Sequence, residues 1–283
     1  MQKLDIGLAK CYTLVHRKHE STNLVITFTP TNGFFLYNND LNSHKICIST
    51  NQPNYYIFNP GSACKKIADY IKGLKVKNII LIGSSKAGLA SLLWGELISR
   101  NLSSEYNIYA LSFSPQTLLY PFNKRLYFPS YSILMNLINH NEGMRRCAEN
   151  YGDINKVLGH TELKGMIIYP NLNPCDKAEA ERVTAKNIKL MGLDYPLHGS
   201  FLPFMKQAKD HEKLKEMVKK IYKNSKTDED VNATIPESEN ELLKIISSIN
   251  VPTIEELCQA IFFKMNYNKE IENFEKVNQL GFV

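Results

Sequence analysis

The most constraining feature of this chain is a buried strand that turns directly into a helix around one serine. Residues 79–82 are four consecutive apolar residues, and leucines recur at helical spacing from position 89 onward. The turn between them, residues 83–88, reads Gly-Ser-Ser-Lys-Ala-Gly. Small residues are needed where a strand and a helix nearly touch, and a strained serine at the apex directs its hydroxyl out of the sheet. The turn therefore predicts Ser85 as a candidate nucleophile.

An ordinary strand-to-helix turn is the alternative interpretation, because serine is also favoured near helix N-termini. The pattern departs from Gly-x-Ser-x-Gly as well, since Ala87 stands at the fifth position and the glycine follows one residue later. A serine nucleophile needs a base, and the base needs an orienting acid. The choice between the two interpretations therefore depends on the residues further along the chain.

An acid and a histidine follow the next two strand patterns. The apolar stretch 165–170 leads into a loop that contains Asp176, and the alternating stretch 187–191 leads to His198. Each of the three residues follows the end of a strand, and they occur in the chain order nucleophile, acid, base. A Ser-Asp-His triad has this order on such a sheet. We therefore expect Ser85 to be the nucleophile, His198 the base and Asp176 the orienting acid.

Each downstream residue also has a plainer interpretation. Asp176 is suited to cap a helix, a common use of aspartate in such a loop. His198 is open to interpretation as a loop histidine without a role. Asp194 is a rival acid, although it lies only four residues from His198 at the same strand end. Three correct residue types in one correct order favour the triad.

An oxyanion hole requires backbone N–H groups directed at the developing negative charge. The first expected donor is Lys86, the residue after the candidate nucleophile. The second is expected from the loop after the early strand 24–28. Pro30 has no N–H, so Thr29 or Thr31 is the expected donor. The side chain of Lys86 itself is interpreted as a surface cation on the first helical turn.

The segment from Ile80 to Gly88 resembles bacterial α/β-hydrolase-fold proteins of surface-polysaccharide loci. Among them are capsule O-acetyltransferases with a Ser-Asp-His triad. The segment is also similar to an accessory secretion-system protein implicated in glycan O-acetylation. Those proteins usually have glycine where this chain has Ala87. The resemblance implies O-acetylation of a bacterial capsular or surface polysaccharide, with acetyl-CoA as acyl donor and a glycan as acceptor. A carboxylesterase or glycan deacetylase, and a non-catalytic partner in a glycan-export or secretion assembly, are the alternatives.

Alternating strands and helices predict a mostly parallel sheet with helices on both faces, the α/β-hydrolase fold. We expect this domain to span residues 1–223, with a helical lid insertion over about 115–163. Residues 224–283 are expected to form a linker and a small C-terminal helical appendage, since two capping boxes begin at Ser238 and Thr253. Three roles remain open for the appendage: packing on the main domain, homo-oligomerisation, and docking of a partner through 238–283.

The lid insertion carries the residues expected to contact substrate. Tyr127 belongs to an aromatic loop that precedes a predicted helix over about 133–151. Its ring is a candidate for stacking on a sugar, and packing of a helical cap on the sheet is the alternative. Arg145 and Arg146 are candidates for binding an anionic group, such as the phosphates of coenzyme A.

Composition limits the remaining partners. The 283 residues carry a net charge of +6, which mildly favours an anionic ligand, but the lysines are too dispersed to predict nucleic-acid binding. The six cysteines show no paired spacing, so we expect reduced thiols in a cytoplasmic protein, no metal site and no permanently bound cofactor. No secretory signal is evident, and no apolar run approaches the ~20 residues of a membrane span.

Overall fold

The computed structural model describes residues 2–30, 33–225, 236 and 238–267. Within these ranges the strands are β1 (Gln2–Lys3), β2 (Tyr12–Arg17), β3 (Asn23–Phe28), β4 (His44–Thr50), β5 (Asn78–Ser84), β6 (Asn107–Phe113), β7 (Lys164–Pro170) and β8 (Ile188–Leu193). The α-helices are α1 (Pro60–Lys72), α2 (Lys86–Ser99), α3 (Pro129–His140), α4 (Glu142–Tyr151), α5 (Pro174–Glu181), α6 (His211–Ser225), α7 (Glu239–Ser248) and α8 (Ile254–Tyr267).

The strands form one sheet in the order β1-β2-β4-β3-β5-β6-β7-β8. β2 pairs antiparallel with β1 and β4, and the strands from β4 across to β8 pair in parallel. This order, with its antiparallel second strand, is that of the α/β-hydrolase fold, so the predicted fold class is confirmed. The carboxyl ends of β5, β6, β7 and β8 meet at one edge of the sheet, and the loops that follow them meet there too.

Helices cover both faces of the sheet, because its central strands are apolar on both sides. In β5, Ile79 and Leu81 face a core that α1, α2 and the helices of the insertion complete. Their neighbours Ile80 and Ile82 face a second core, to which α6, α7 and α8 contribute. Alternation of side chains along a strand assigns neighbouring residues to opposite faces.

The insertion contains two helices where the sequence predicted one over about 133–151. Asn141 interrupts the helical backbone with an extended conformation, and its side chain accepts a hydrogen bond from the Met144 N–H. An asparagine that caps a new helix in this way ends the preceding one. Apolar residues of both helices, including Leu134 and Met144, are buried in the first core.

The C-terminal helices pack on the sheet, which is one of the alternatives that the sequence left open. Ile246 of α7 and Leu257 and Ile261 of α8 are buried against the same core as Ile80. The last helix within the expected domain 1–223 is α6, which begins at His211 after two short 3₁₀ turns at 202–204 and 206–209.

Candidate active site

The turn between β5 and α2 holds Ser85 in a left-handed backbone conformation. Its φ is 58° and its ψ is −129°, and its N–H donates to the carbonyl of Phe113 at 2.8 Å. The turn depends on glycine at two points: a Cβ on Gly83 would lie 1.8 Å from the Ala87 carbonyl oxygen, and one on Gly88 would lie 2.9 Å from that of Phe113. The residue that approaches the neighbouring strand closely is Gly88. Alanine is therefore tolerated at position 87, where the common pattern has glycine. The serine is therefore presented at the carboxyl edge of the sheet.

Ser85, His198 and Asp176 lie in one hydrogen-bonded series. The His198 Nε2 is 2.9 Å from the Ser85 Oγ, and the His198 Nδ1 is 2.8 and 2.9 Å from the two carboxylate oxygens of Asp176. A carboxylate can only accept hydrogen bonds, so Nδ1 carries the proton and donates it. In this tautomer Nε2 carries no proton and accepts a hydrogen bond from the Ser85 hydroxyl. This arrangement lets His198 remove the serine proton.

Asp176 lies in the first turn of α5 and is not its cap. The N-cap is Asn173, whose side chain accepts hydrogen bonds from the N–H groups of Cys175 and Asp176. The carboxyl-bearing side chain of Asp176 is only 2% exposed and faces His198, whereas Asp194 is exposed. The geometry therefore joins His198 to Asp176 and leaves Asp194 outside the series.

The loop that carries His198 is fastened to neighbouring strand ends. The Ser200 Oγ donates to the carbonyl of Ile168 at 2.7 Å, and the Ser200 N–H donates to the Ser114 Oγ at 3.1 Å. The ring of Phe128, from the insertion, packs on the His198 imidazole with centroids 4.7 Å apart. These contacts limit the positions that the imidazole can take.

Gln116 is a residue at this site that the sequence reasoning missed. It is 2% exposed, and its Nε2 lies 3.5 Å from the Ser85 Oγ, a long hydrogen bond. Its Oε1 is buried and has no hydrogen-bond partner among the residues that the structure describes. The one signal in the sequence is its position just after β6, at the edge where the strand ends converge.

A buried carboxylate on α5 holds the segment that follows Gln116. Glu179 accepts hydrogen bonds from the N–H groups of Thr117 and Leu118 at 2.7 and 3.0 Å, and from the Asn123 Nδ2 at 2.7 Å. Glu179 lies three residues after Asp176, on the same helix. One helix therefore supports both the imidazole and the start of the insertion.

The two expected oxyanion donors differ in their availability. The Lys86 N–H belongs to the first turn of α2, whose N–H groups have no acceptor within the helix. The Thr29 N–H is directed at the Ile48 carbonyl and the Tyr56 hydroxyl, at 3.1 and 3.0 Å. Because those groups occupy it, Thr29 is not available as the second donor. Thr31 lies outside the described residues, so its role stays a prediction.

The expected substrate-contacting residues lie on the exposed surface of the insertion. The Arg145 guanidinium donates to the Asn139 carbonyl at 2.9 Å, and Arg146 pairs with Glu142 at 3.5 Å. Both arginines are therefore engaged within the insertion. Tyr127 is 61% exposed and directly precedes Phe128, which touches His198. The roles of all three stay predictions.

Burial shifts the pKa of two groups beside the turn. The pKa of Lys86 is lowered because its ammonium is partly removed from water, and the pKa of Tyr55 is raised well above its usual range for the same reason. The Lys86 Nζ lies 5.8 Å from the centre of the Tyr55 ring. The lysine is therefore half-buried and not the simple surface cation that the sequence suggested.

Four further findings bear on ligands and partners. Among the described residues, no group of three or more His, Cys, Asp or Glu side chains could hold a metal ion, and no helix is long and apolar enough to cross a membrane. No disulfide joins any two of the six cysteines, all of which lie in the described residues. A cavity of about 430 Å³ lies at the edge of the sheet opposite to Ser85, where Lys164 begins β7. Lys186, Lys189 and Lys264 also line this cavity.

The fold and the hydrogen-bonded series together describe an α/β-hydrolase-fold protein with triad-like geometry. No protein-family model matches the chain, and no curated protein matches it. Solved structures do resemble it. Esterase B from Lactobacillus rhamnosis is 12% identical over 64% of this chain and 69% of its own, with a TM-score of 0.43.

Two further solved structures are similar to the same extent. Acetyl xylan esterase 1 from a Thermoanaerobacterium species is 12% identical over 64% of this chain and 73% of its own, with a TM-score of 0.41. The 2,6-dihydroxy-pseudo-oxynicotine hydrolase is 12% identical over 64% of this chain and 57% of its own, with a TM-score of 0.46.

Proposed function

We propose that this protein is a serine-dependent enzyme that transfers an acyl group through a covalent acyl-Ser85 intermediate. The observation that carries the proposal is the hydrogen-bonded series, with 2.9 Å between the His198 Nε2 and the Ser85 Oγ and 2.8 Å between Nδ1 and Asp176. A bystander serine would not need a strained backbone, a histidine within hydrogen-bond distance and a buried acid behind that histidine.

The proposed reaction has two halves. In the first, His198 takes the Ser85 proton as Oγ attacks the acyl carbonyl carbon, and the Lys86 N–H stabilises the tetrahedral oxyanion. His198 then gives that proton to the leaving oxygen or sulfur, and the acyl-serine remains. In the second half, water or an acceptor hydroxyl attacks the acyl carbon and His198 takes its proton. The bond from the acyl carbon to the Ser85 Oγ then breaks, and His198 returns the proton to that oxygen. Asp176 stabilises the imidazolium in both halves.

Gln116 supports the resting state of this mechanism. Its Nε2 lies 3.5 Å from the Ser85 Oγ, a long hydrogen bond. Because Nε2 can only donate, it approaches a lone pair of the oxygen and leaves the hydroxyl proton for His198. The amide therefore favours the serine rotamer from which proton transfer is possible.

The finer proposal is O-acetylation of a bacterial capsular or surface polysaccharide, with acetyl-CoA as donor, in the cytoplasm. Its support is the resemblance around Ser85 and the net charge of +6. The alternative is a carboxylesterase or glycan deacetylase, which would use the same three residues with water as acceptor. The ordered contacts among three polar side chains oppose a non-catalytic role, because an idle site has no need to keep them aligned.

A fluorophosphonate probe tests the nucleophile. We expect one adduct on wild-type protein, mapped to Ser85, and none on Ser85→Ala at an unchanged melting temperature. Ser84→Ala is the matched control, since Ser84 is the neighbouring serine and is not the proposed nucleophile, and it should label normally. Labelling at another serine, or no labelling of the wild type, would refute the proposal.

Incubation with acetyl-CoA then separates transfer from hydrolysis. A transferase should show an acetyl adduct on Ser85 by intact mass, and acetyl transfer to a polysaccharide acceptor should outpace hydrolysis. Rapid cleavage of simple aryl esters, with no transfer to any glycan, would refute the transferase proposal and support the carboxylesterase alternative.

A further inference from the structure

Lys86 occupies an unusual place beside the candidate nucleophile. Its ammonium lies over the buried Tyr55 ring, and the Tyr55 hydroxyl is hydrogen-bonded to the Ser130 Oγ at 2.7 Å, at the start of α3. Ser130 is two residues from Phe128, whose ring packs on His198. Lys86 directly follows Ser85 in the chain, and Tyr55 and Ser130 connect its side chain to the part of the insertion that contacts the imidazole.

Two other described cations that are withdrawn from water, the buried Lys45 and the half-buried Arg182, have partners. The Lys45 ammonium donates to the carbonyls of Leu36 and Tyr37 at 2.8 and 3.0 Å, and Arg182 pairs with Asp153 at 2.8 Å. Desolvating a charge is costly unless the charge is paired or hydrogen-bonded, which explains these contacts.

Lys86 lacks such compensation in the part of the chain that the structure describes. Its ammonium forms no ion pair and no hydrogen bond there, and its one recorded contact is the face of Tyr55. A ring face stabilises a cation much less than an opposite charge does. Burial without a counter-charge lowers the pKa of this group. A bound anion would compensate the desolvated charge and raise the pKa of Lys86 again, because it would favour the charged form of the ammonium group.

We propose that Lys86 binds an anionic group of the substrate, a carboxylate or a phosphate, next to the ester or thioester that Ser85 attacks. The inference rests on the proposed function of Ser85 and names the substrate class for it: acyl compounds that carry a negative charge close to the reacting carbonyl. The ammonium, held over Tyr55 before substrate arrives, selects anionic substrates and aligns them.

The anion can belong either to the acyl group or to the alcohol, and two pairs of esters separate these sources. Phenyl hydrogen adipate carries a carboxylate on the acyl side, and 4-acetoxybenzoate carries one on the alcohol side. The methyl ester of each is its neutral partner. Rates are measured as kcat/KM after subtraction of spontaneous hydrolysis, at low and high salt.

Lys86→Met removes the charge and keeps the length of the side chain. In at least one pair, we expect it to lower the ratio of kcat/KM for the carboxylate to kcat/KM for its methyl ester about 10- to 100-fold, the range for a lost charge-assisted hydrogen bond. Lys65→Met, which removes an exposed lysine of α1, is the control for net charge and should leave this ratio unchanged. High salt should reduce the wild-type preference.

The outcomes separate this inference from the proposed function. If the wild type labels at Ser85 and cleaves neutral esters, but Lys86→Met affects both members of each pair equally, Lys86 does not select anions and the acyl chemistry stands. If the wild type neither labels nor cleaves any ester, both proposals fail.

Discussion

Replacing Asp176 by asparagine tests the proposed triad most directly, because the structure says what the new side chain would do. Both carboxylate oxygens lie within 2.9 Å of the His198 Nδ1. An isosteric amide replaces one of these two acceptors by an NH₂ donor and carries no negative charge. The Nδ1–H therefore loses its charged acceptor, and the tautomer with the proton on Nε2, which cannot accept from the Ser85 Oγ, becomes more favourable.

The size of the loss follows from the distances. When His198 becomes charged in the transition state, a carboxylate at 2.8 to about 4 Å stabilises it by roughly 6 to 4 kcal/mol at an effective dielectric constant of about 20. Each 1.36 kcal/mol in activation free energy is tenfold in rate, so Asp176→Asn should lower kcat/KM by roughly 10³- to 10⁴-fold. Shape is retained, so the melting temperature should change little.

The assay compares ester hydrolysis and fluorophosphonate labelling rates for the wild type, Asp176→Asn and Asp194→Asn. The Asp194 variant is the matched control, since that carboxylate is exposed, and it should keep full activity. A loss below tenfold in Asp176→Asn, or a large loss in Asp194→Asn, would show that this geometry does not govern the reaction.

Three further predictions concern the framework of the site. Gly83→Ala should prevent formation of the turn, because the new Cβ would lie 1.8 Å from the Ala87 carbonyl oxygen; soluble yield and the melting temperature should both fall, and a stable, active variant would contradict this. Glu179→Gln should destabilise the protein by about 2–4 kcal/mol in urea unfolding, since either orientation of the amide turns a donor toward N–H groups of Thr117 and Leu118 or the Asn123 amide. Burial lowers the pKa of His16 to about 4, below the ordinary value, so the unfolded chain binds more protons between about 6.5 and 4 and stability should fall as the pH falls through that window. His16→Gln should flatten this dependence in a thermal-unfolding series, and an unchanged slope would count against it.

The fold could be predicted from the sequence because its signals are local. The apolar run of β5, the glycines of the turn and the spacing of the leucines in α2 each lie within a few residues. Period and turn chemistry therefore suffice to recognise a strand, a turn and a helix. The order of Ser85, Asp176 and His198 added the expectation that these three meet, since carboxyl ends of parallel strands share an edge.

The insertion and the C-terminal region were less predictable, because packing decides them. A helical pattern over about 133–151 does not reveal that Asn141 stops one helix and caps the next. The capping boxes at Ser238 and Thr253 announce helices, but only the buried side chains of α7 and α8 show that these cover the second face of the sheet.

The sequence alone thus determined the fold class, the turn around Ser85 and the candidates for its base and acid, because neighbouring residues set backbone geometry. Only the tertiary structure placed Gln116 against Ser85, gave Glu179 to the backbone beyond it and left Lys86 half-buried over Tyr55. It also showed that the Thr29 N–H is already occupied. These facts are contacts between residues far apart in the chain, and burial and hydrogen bonding become defined only once the core has formed.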